Sequence, residues 1–230
     1  MNNDDKRIKL INSVIYNKNA NEFLERAEKF QEYLMMYECA VEEIITKVEI
    51  LNKDLKIQFG RTPIESIESR VKDAESILDK FDRKGFELSM ESITQLEDIA
   101  GVRIICSFID DIYHIVNMLT RQDDILLINS KDYIANPKEN GYRSYHMIVQ
   151  VPVFFSNRTQ NLKVEIQIRT IAMNFWASLE HKLKYKKAQN NENELTERLK
   201  RCADIIHQTD LEMQLIRKEI EGDTHEENVK

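Results

Sequence analysis

Between Phe23 and Leu55 the residues Phe23, Ala27, Phe30, Leu34, Tyr37, Val41, Ile44, Val48, Leu51 and Leu55 recur in alternating steps of four and three. Only a helix of 3.6 residues per turn places such a series on one side. The chain therefore contains a long amphipathic helix, and its apolar stripe must be covered by the same chain or by another copy. A second helix is expected over about 192–221, where Leu195, Leu199, Cys202, Ile205, Ile206, Met213, Ile216 and Ile220 repeat the pattern. The same two kinds of partner are open to it.

The middle of the chain alternates. "AGVRIICSF" reads as a strand, "DDIYHIVNMLTR" as a helix and "DILLINSKD" as a strand; "YHMIVQVPV" and "LKVEIQIRT" read as a hairpin, followed by a helix from "TIAMNFWASLEH". In the second hairpin strand Leu162, Val164, Ile166 and Ile168 face one way, and Lys163, Glu165, Gln167 and Arg169 the other. Strands mixed with helices predict an α/β or α+β domain with a mixed sheet. The stretch "RTPIESIESRVKDAES" carries helical signals: Thr62, Pro63 and Glu65 form a capping box, and Ile64, Ile67, Val71, Ala74 and Leu78 have helical spacing. The expected organisation is a flexible segment over 1–21, an amphipathic helical region over 22–60 and a sheet domain over 61–188. A C-terminal helix making oligomer contacts over 189–221 and a flexible tail over 222–230 complete it.

A net charge of −7 argues against a general basic surface for nucleic acid, although regulation by RNA stays open. No apolar run approaches the roughly 20 residues of a membrane span, and "MNNDDKRIKL" is no signal peptide. Three scattered cysteines suit a reducing cytoplasm. Five glycines allow no GxGxxG and no P-loop, so any phosphates must be held by Arg and Lys side chains. None of the five histidines lies in HExxH or precedes an aspartate, which removes zinc hydrolases and His-Asp phosphohydrolases.

Two carboxylates stand out. Glu165 lies on the polar face of its strand, and Asp98 precedes another strand in "EDIAGVR". Together they could hold Mg²⁺, a cation that takes one or two carboxylates and its substrate's phosphates. Arg70, Lys72, Lys80, Arg103, Lys138 and Arg143 fall near the same segments, as a polyphosphate pocket requires. "NGYRSYH" places aromatic, basic and imidazole groups directly before an apolar strand.

The pieces "SRVKDAESI", "EDIAGVRI", "KDYIANPKENGYRSYH", "VEIQIRT" and "NFWASLEH", in this order, resemble the synthetase domain of the RelA/SpoT family in its short, single-domain form. The resemblance implies a nucleotidyltransferase-like mixed sheet flanked by helices. It implies a strand over 64–71, against the local helical signals, with a helix from near Asp73. The implied reaction moves the β,γ-pyrophosphate of ATP to the 3′-hydroxyl of GDP or GTP and releases AMP. By the resemblance Arg70, Lys72, Ser76 and Lys80 hold ATP phosphates, and Arg103 contacts ATP near its base. Asp98 and Glu165 hold Mg²⁺, and Glu165 is the candidate base, the metal ligand or both. Tyr142 stacks on guanine, Lys138 and Arg143 contact acceptor phosphates, His146 orders the site, and Gln167 and Asn174 supply hydrogen bonds. Trp176, Glu180 and His181 either support the site or touch the ligand. The short members suggest a homotetramer. Three other readings compete: transfer to another acceptor, a non-catalytic regulator binding guanosine nucleotides or RNA, and a bifunctional enzyme that also hydrolyses the product. The last lacks its His-Asp motif.

Overall fold

The computed structural model describes residues 20–73, 76–77, 79–80, 83, 85, 96–185 and 192–222. The expectations for 1–19 and 223–230, and for Ala74 and Leu78, lie outside the described residues. Helix α1 (Ala20–Phe59) leads into β1 (Ile64–Val71), followed by β2 (Ala100–Cys106), α2 (Ile109–Thr120), β3 (Leu126–Asp132), β4 (Tyr145–Phe154), β5 (Thr159–Thr170), α3 (Ile171–Tyr185) and α4 (Glu192–Glu221). The five strands form one sheet in the order β1-β2-β5-β4-β3. Only β2 and β5 run parallel; the other neighbours are antiparallel, so the sheet is mixed.

Each inner strand alternates, and alternation gives the sheet two unlike faces. Val102, Ile104, Met147, Val149, Val151, Val164, Ile166 and Ile168 are all buried on one face. Helix α1 lies across that face and packs against β1, β2, β4 and β5. Its stripe is thus covered within the chain: Tyr37, Val41, Ile44, Val48 and Leu55 are buried, with Met36 and Ala40 beside them. Phe30, Leu34 and Leu51 pack at the margin. The side chains of Phe23 and Ala27 lie outside the described set.

Residues 64–71 are a strand, not the helix that local spacing predicts. The register explains how. Ile64 opposes Cys106 and Ser66 opposes Ile105, so Glu65 is an extra residue in β1. A bulge of this kind shifts the alternation by one and brings Ile64 and Ile67, three apart, to the same side. Val71, four further on, falls there too. Spacing of three and four can therefore belong to a bulged strand as well as to a helix, and pairing with β2 decides between them. After the strand, Asp73 accepts a hydrogen bond from the Ser76 N–H at 2.7 Å, and Ser76, Ile77, Asp79 and Lys80 are helical.

Helix α4 packs on its own chain along Leu199, Ala203, Ile206 and Asp210. The Trp176 Nε1–H of α3 donates to the Leu199 carbonyl at 2.9 Å, and the Thr170 hydroxyl donates to Asp210 at 2.5 Å. Leu195, Ile205, Met213, Ile216 and Ile220 stay exposed. So do Ile171, Phe175, Leu179 and Leu183, one row along α3.

Candidate active site

The polar face of the sheet is the floor of a cleft. Register puts Arg70, Gly101, Glu165 and Ile148 in one row across β1, β2, β5 and β4. The next row is Glu68, Arg103, Gln167 and His146. A cavity of about 170 Å³ opens over these rows, lined by Glu68, Arg70, Asp98, Arg103, Glu165 and Gln167, among others. Gly101 keeps the row between Arg70 and Glu165 free of a side chain, a use that a glycine inside a strand often signals.

On the β1 side, Asp98 gathers the basic groups. Lys72 Nζ donates to its Oδ2 at 2.8 Å, and Lys80 Nζ donates to Oδ1. Burial opposes the charge of Asp98, but the two ammonium groups outweigh it and hold the carboxyl below the usual carboxylate range. Arg103 Nη1 donates to Glu68 at 3.1 Å.

On the β4 side, Lys138 Nζ stands 4.6 Å from the Tyr133 ring centroid and 4.8 Å from that of Tyr142. The Tyr142 hydroxyl meets His146 Nε2 at 2.8 Å, and His146 Nδ1 faces Glu165 Oε1 at 3.5 Å. That imidazole contact lowers the Glu165 pKa, against burial and the charge of Asp98, which raise it. Glu165 is therefore ionised at neutral pH, and it sits between a cationic half-site and an aromatic one.

The turn that carries Tyr142 closes through the Gly141 N–H donating to the Lys138 carbonyl at 2.8 Å, with Gly141 at φ 87°. Asn140 donates to the buried Glu180 at 3.1 Å.

The arrangement agrees with what is known of similar chains. Residues 69–190 match the model of the region found in RelA/SpoT proteins. The chain belongs to the RelA/SpoT family. It is 47% identical, over 84% of its length and 93% of the relative's, to the GTP pyrophosphokinase YwaC of Bacillus subtilis. The crystal structure of small alarmone synthetase 2 from B. subtilis superposes with a TM-score of 0.75 at 47% identity, covering 83% of this chain and 98% of that one. Small alarmone synthetase 1 from B. subtilis, bound to its product pppGpp, also gives a TM-score of 0.75, at 39% identity over 85% of this chain and all of that one. These relatives share the mixed, helix-flanked sheet.

Most residues singled out from the family motifs converge. Arg70, Lys72, Lys80, Asp98, Arg103, Glu165 and Gln167 line or border the cleft, while Lys138, Tyr142 and His146 form its aromatic wall. Ser76 sits in the first helical turn beside Asp73. Arg143 turns away: its guanidinium donates to the Gly141 carbonyl and to Asp204 of α4, both at 3.2 Å. Asn174 is reached through Arg169, which donates to it at 3.4 Å. Trp176 and Glu180 are buried supports, whereas His181 is exposed. Sequence reasoning missed Glu68, Gly101 and Tyr133. Gly101 carried a signal as a glycine within a strand and Tyr133 as part of "KDYIANPKENGYRSYH", while Glu68 carried none.

Among the described residues no group of three or more His, Cys, Asp or Glu side chains could hold a metal by itself. Two carboxylates beside a cationic cleft nevertheless suit Mg²⁺, because nucleotide phosphates supply its remaining oxygens. No described helix is long and apolar enough to cross a membrane.

Proposed function

We infer that this chain is a (p)ppGpp synthetase, transferring the β,γ-pyrophosphate of ATP to the 3′-hydroxyl of GDP or GTP and releasing AMP. The observation that carries the reading is the position of Glu165. It lies on the central strand β5, with Arg70 and Gly101 on one side and the Tyr142–His146 wall on the other. ATP would lie over β1 and β2, its phosphates held by Arg70, Lys72 and Lys80, with Ser76 nearby and Arg103 toward the base. The guanine would stack on Tyr142, with Lys138 at its phosphates and Gln167 within reach of the acceptor ribose.

The acceptor oxygen attacks the β-phosphorus of ATP, the bond from that phosphorus to the α,β-bridging oxygen breaks, and AMP leaves. Glu165 takes the proton of the 3′-hydroxyl. Its lowered pKa keeps it unprotonated before the reaction, and its place beside the acceptor supplies the geometry. Charge neutralisation and positioning do the rest, as in phosphoryl transfer generally. Lys72 and Lys80, which are ion-paired with Asp98, would turn to the triphosphate and leave the carboxylate available. Asp98 and Glu165 would then hold Mg²⁺, which when bound spreads the charge of the phosphates. Holding a metal and taking a proton would compete at Glu165, because a bound cation lowers the basicity of the carboxylate that holds it.

The exposed apolar rows of α3 and α4 support assembly into an oligomer, a homotetramer in this reading. Ile171 and Phe175 of α3 and Met213 of α4 line one groove of about 870 Å³. With ATP and guanosine nucleotides as substrates, the enzyme would work in the cytoplasm.

The test mixes the chain with Mg²⁺, labelled ATP and GDP or GTP, with Glu165→Gln and Asp98→Asn alongside. Equal amounts of AMP and 3′-pyrophosphorylated guanosine nucleotide are expected. Glu165→Gln should lower kcat by about 10²–10⁴, the usual worth of a general base. Nucleotide binding without turnover would overturn the reading in favour of a silent regulator.

A further inference from the structure

We propose that Arg169 is a positioning residue for the acceptor half of the site, setting the direction of a hydrogen-bond chain that runs through Tyr142 and His146 to Glu165. The proposal rests on the reading above, in which Glu165 meets the acceptor hydroxyl.

Arg169 ends the polar series of β5, next to helix α3, and is only 6% exposed. A buried guanidinium is costly unless it is paired and hydrogen-bonded. Among the described residues its acceptors are all neutral: Tyr142 Oη at 2.5 Å, Gln167 Oε1 at 3.0 Å, and Ser144 Oγ and Asn174 Oδ1 at 3.4 Å each. Burial lowers its pKa, although an arginine stays charged. Replacing it with an apolar residue of similar size would remove that desolvation. The four contacts instead tie together the strand, the α3 start and the acceptor turn, and they converge on the residue that stacks the base.

The direction follows from donor and acceptor chemistry. A guanidinium donates and never accepts. Tyr142 Oη therefore receives a hydrogen from Arg169, and its own hydrogen points to its other partner, His146 Nε2, at 2.8 Å. A neutral imidazole that accepts at Nε2 carries its hydrogen on Nδ1. Nδ1 is the atom that faces Glu165 Oε1. Each link thus hands a donor to the next, and the chain ends with an N–H pointed at the carboxylate. Without Arg169, Tyr142 Oη is free to accept from an Nε2–H. The reversed tautomer turns a lone pair of Nδ1 toward Glu165, and repulsion between the two displaces the carboxylate from the acceptor hydroxyl. Arg169 also lies over the Tyr142 ring, with its guanidinium carbon 5.0 Å from the centroid. One residue then fixes both the ring plane and the hydroxyl direction.

The test uses the full chain labelled with ¹⁵N-histidine, at alkaline pH and without nucleotide. Long-range ¹H–¹⁵N correlation distinguishes the two tautomers, and His146→Asn assigns the signal. In the wild type His146 is expected as the Nδ1–H form; Tyr142→Phe and Arg169→Gln should each raise the Nε2–H form. Tyr142→Phe keeps the stacking ring, so the fold stays intact and the test survives if Arg169→Gln does not fold. In steady-state kinetics both variants should lose about 10–100-fold in kcat, the range seen when a partner that orients a site residue is removed. KM for ATP should hold, and the double variant should be no worse than the worse single one. A His146 tautomer unchanged in Tyr142→Phe, or losses that multiply, would overturn the proposal. A tautomer that shifts in Tyr142→Phe, in a protein whose wild type shows no transferase activity, would keep the chain of hydrogen bonds and reject the synthetase reading instead.

Discussion

At Gly141 the acceptor turn lies close against the C-terminal helix, and Gly141→Ala is expected to destabilise the protein by about 2–5 kcal/mol. Two costs add. At φ 87° the residue lies in the left-handed region, where a side chain costs roughly 1–2 kcal/mol. The new Cβ would also stand 2.6 Å from Ala203 Cβ and 3.3 Å from Lys200 Cα. Those neighbours belong to the helix body of α4, so the strain cannot be relieved by swinging a flexible side chain, and overpacking adds about 1–3 kcal/mol. The assay is urea unfolding at one fixed protein concentration. With a slope of about 2 kcal/mol per molar urea, the midpoint should fall by about 1–2.5 M. Because Lys138 and Tyr142 ride on the same turn, KM for GTP should rise as well. Ala203→Gly provides the control. Alone it costs about 1 kcal/mol as a glycine in a helix. Combined with Gly141→Ala it should recover the overpacking share, giving a coupling of about 1–3 kcal/mol. Strict additivity of the two changes would refute the claim that this contact holds the turn in place.

Arg61 makes a two-pronged pair with Asp111, at 2.7 and 2.9 Å, and Asp111 is 2% exposed. Arg61→Met should strand that carboxylate and cost about 3–5 kcal/mol in chemical unfolding, more than an exposed pair would. Asp210 is buried, and burial raises its pKa despite the hydrogen bond from Thr170. The folded state therefore binds the proton more tightly than the unfolded one, so this group's contribution to stability falls as pH rises from the unfolded pKa through the folded one. Asp210→Asn should stabilise the chain at neutral pH and flatten that slope in a series of melts across pH. Ile220 is 80% exposed in the single chain. Ile220→Asp should leave the melting temperature of a dilute sample unchanged while shifting the mass in light scattering toward smaller species, if α4 carries an oligomer contact.

Local pattern determined a large part of this molecule. The four-three stripe dictated α1, and strict alternation dictated β5 with its unlike faces, because each period suits one backbone geometry. The same alternation put Glu165 and Gln167 on one face before any partner strand was known. Five ordered motifs then led to the family, and with it to the strand at 64–71 that local spacing had read as a helix. Tertiary structure decided what spacing leaves open. Pairing with β2 absorbed Glu65 as a bulge, and the register set Arg70, Gly101 and Glu165 side by side. The sheet took up the α1 stripe, while α4 turned a separate, narrower face inward and left much of its apolar stripe exposed. Arg143 and Arg169 show the limit most clearly. Both are basic residues within or beside family motifs, but one turns to Asp204 and the other is buried under Tyr142. Sequence specifies which groups a strand presents on each side; only the packing of distant segments decides which neighbour each group finds.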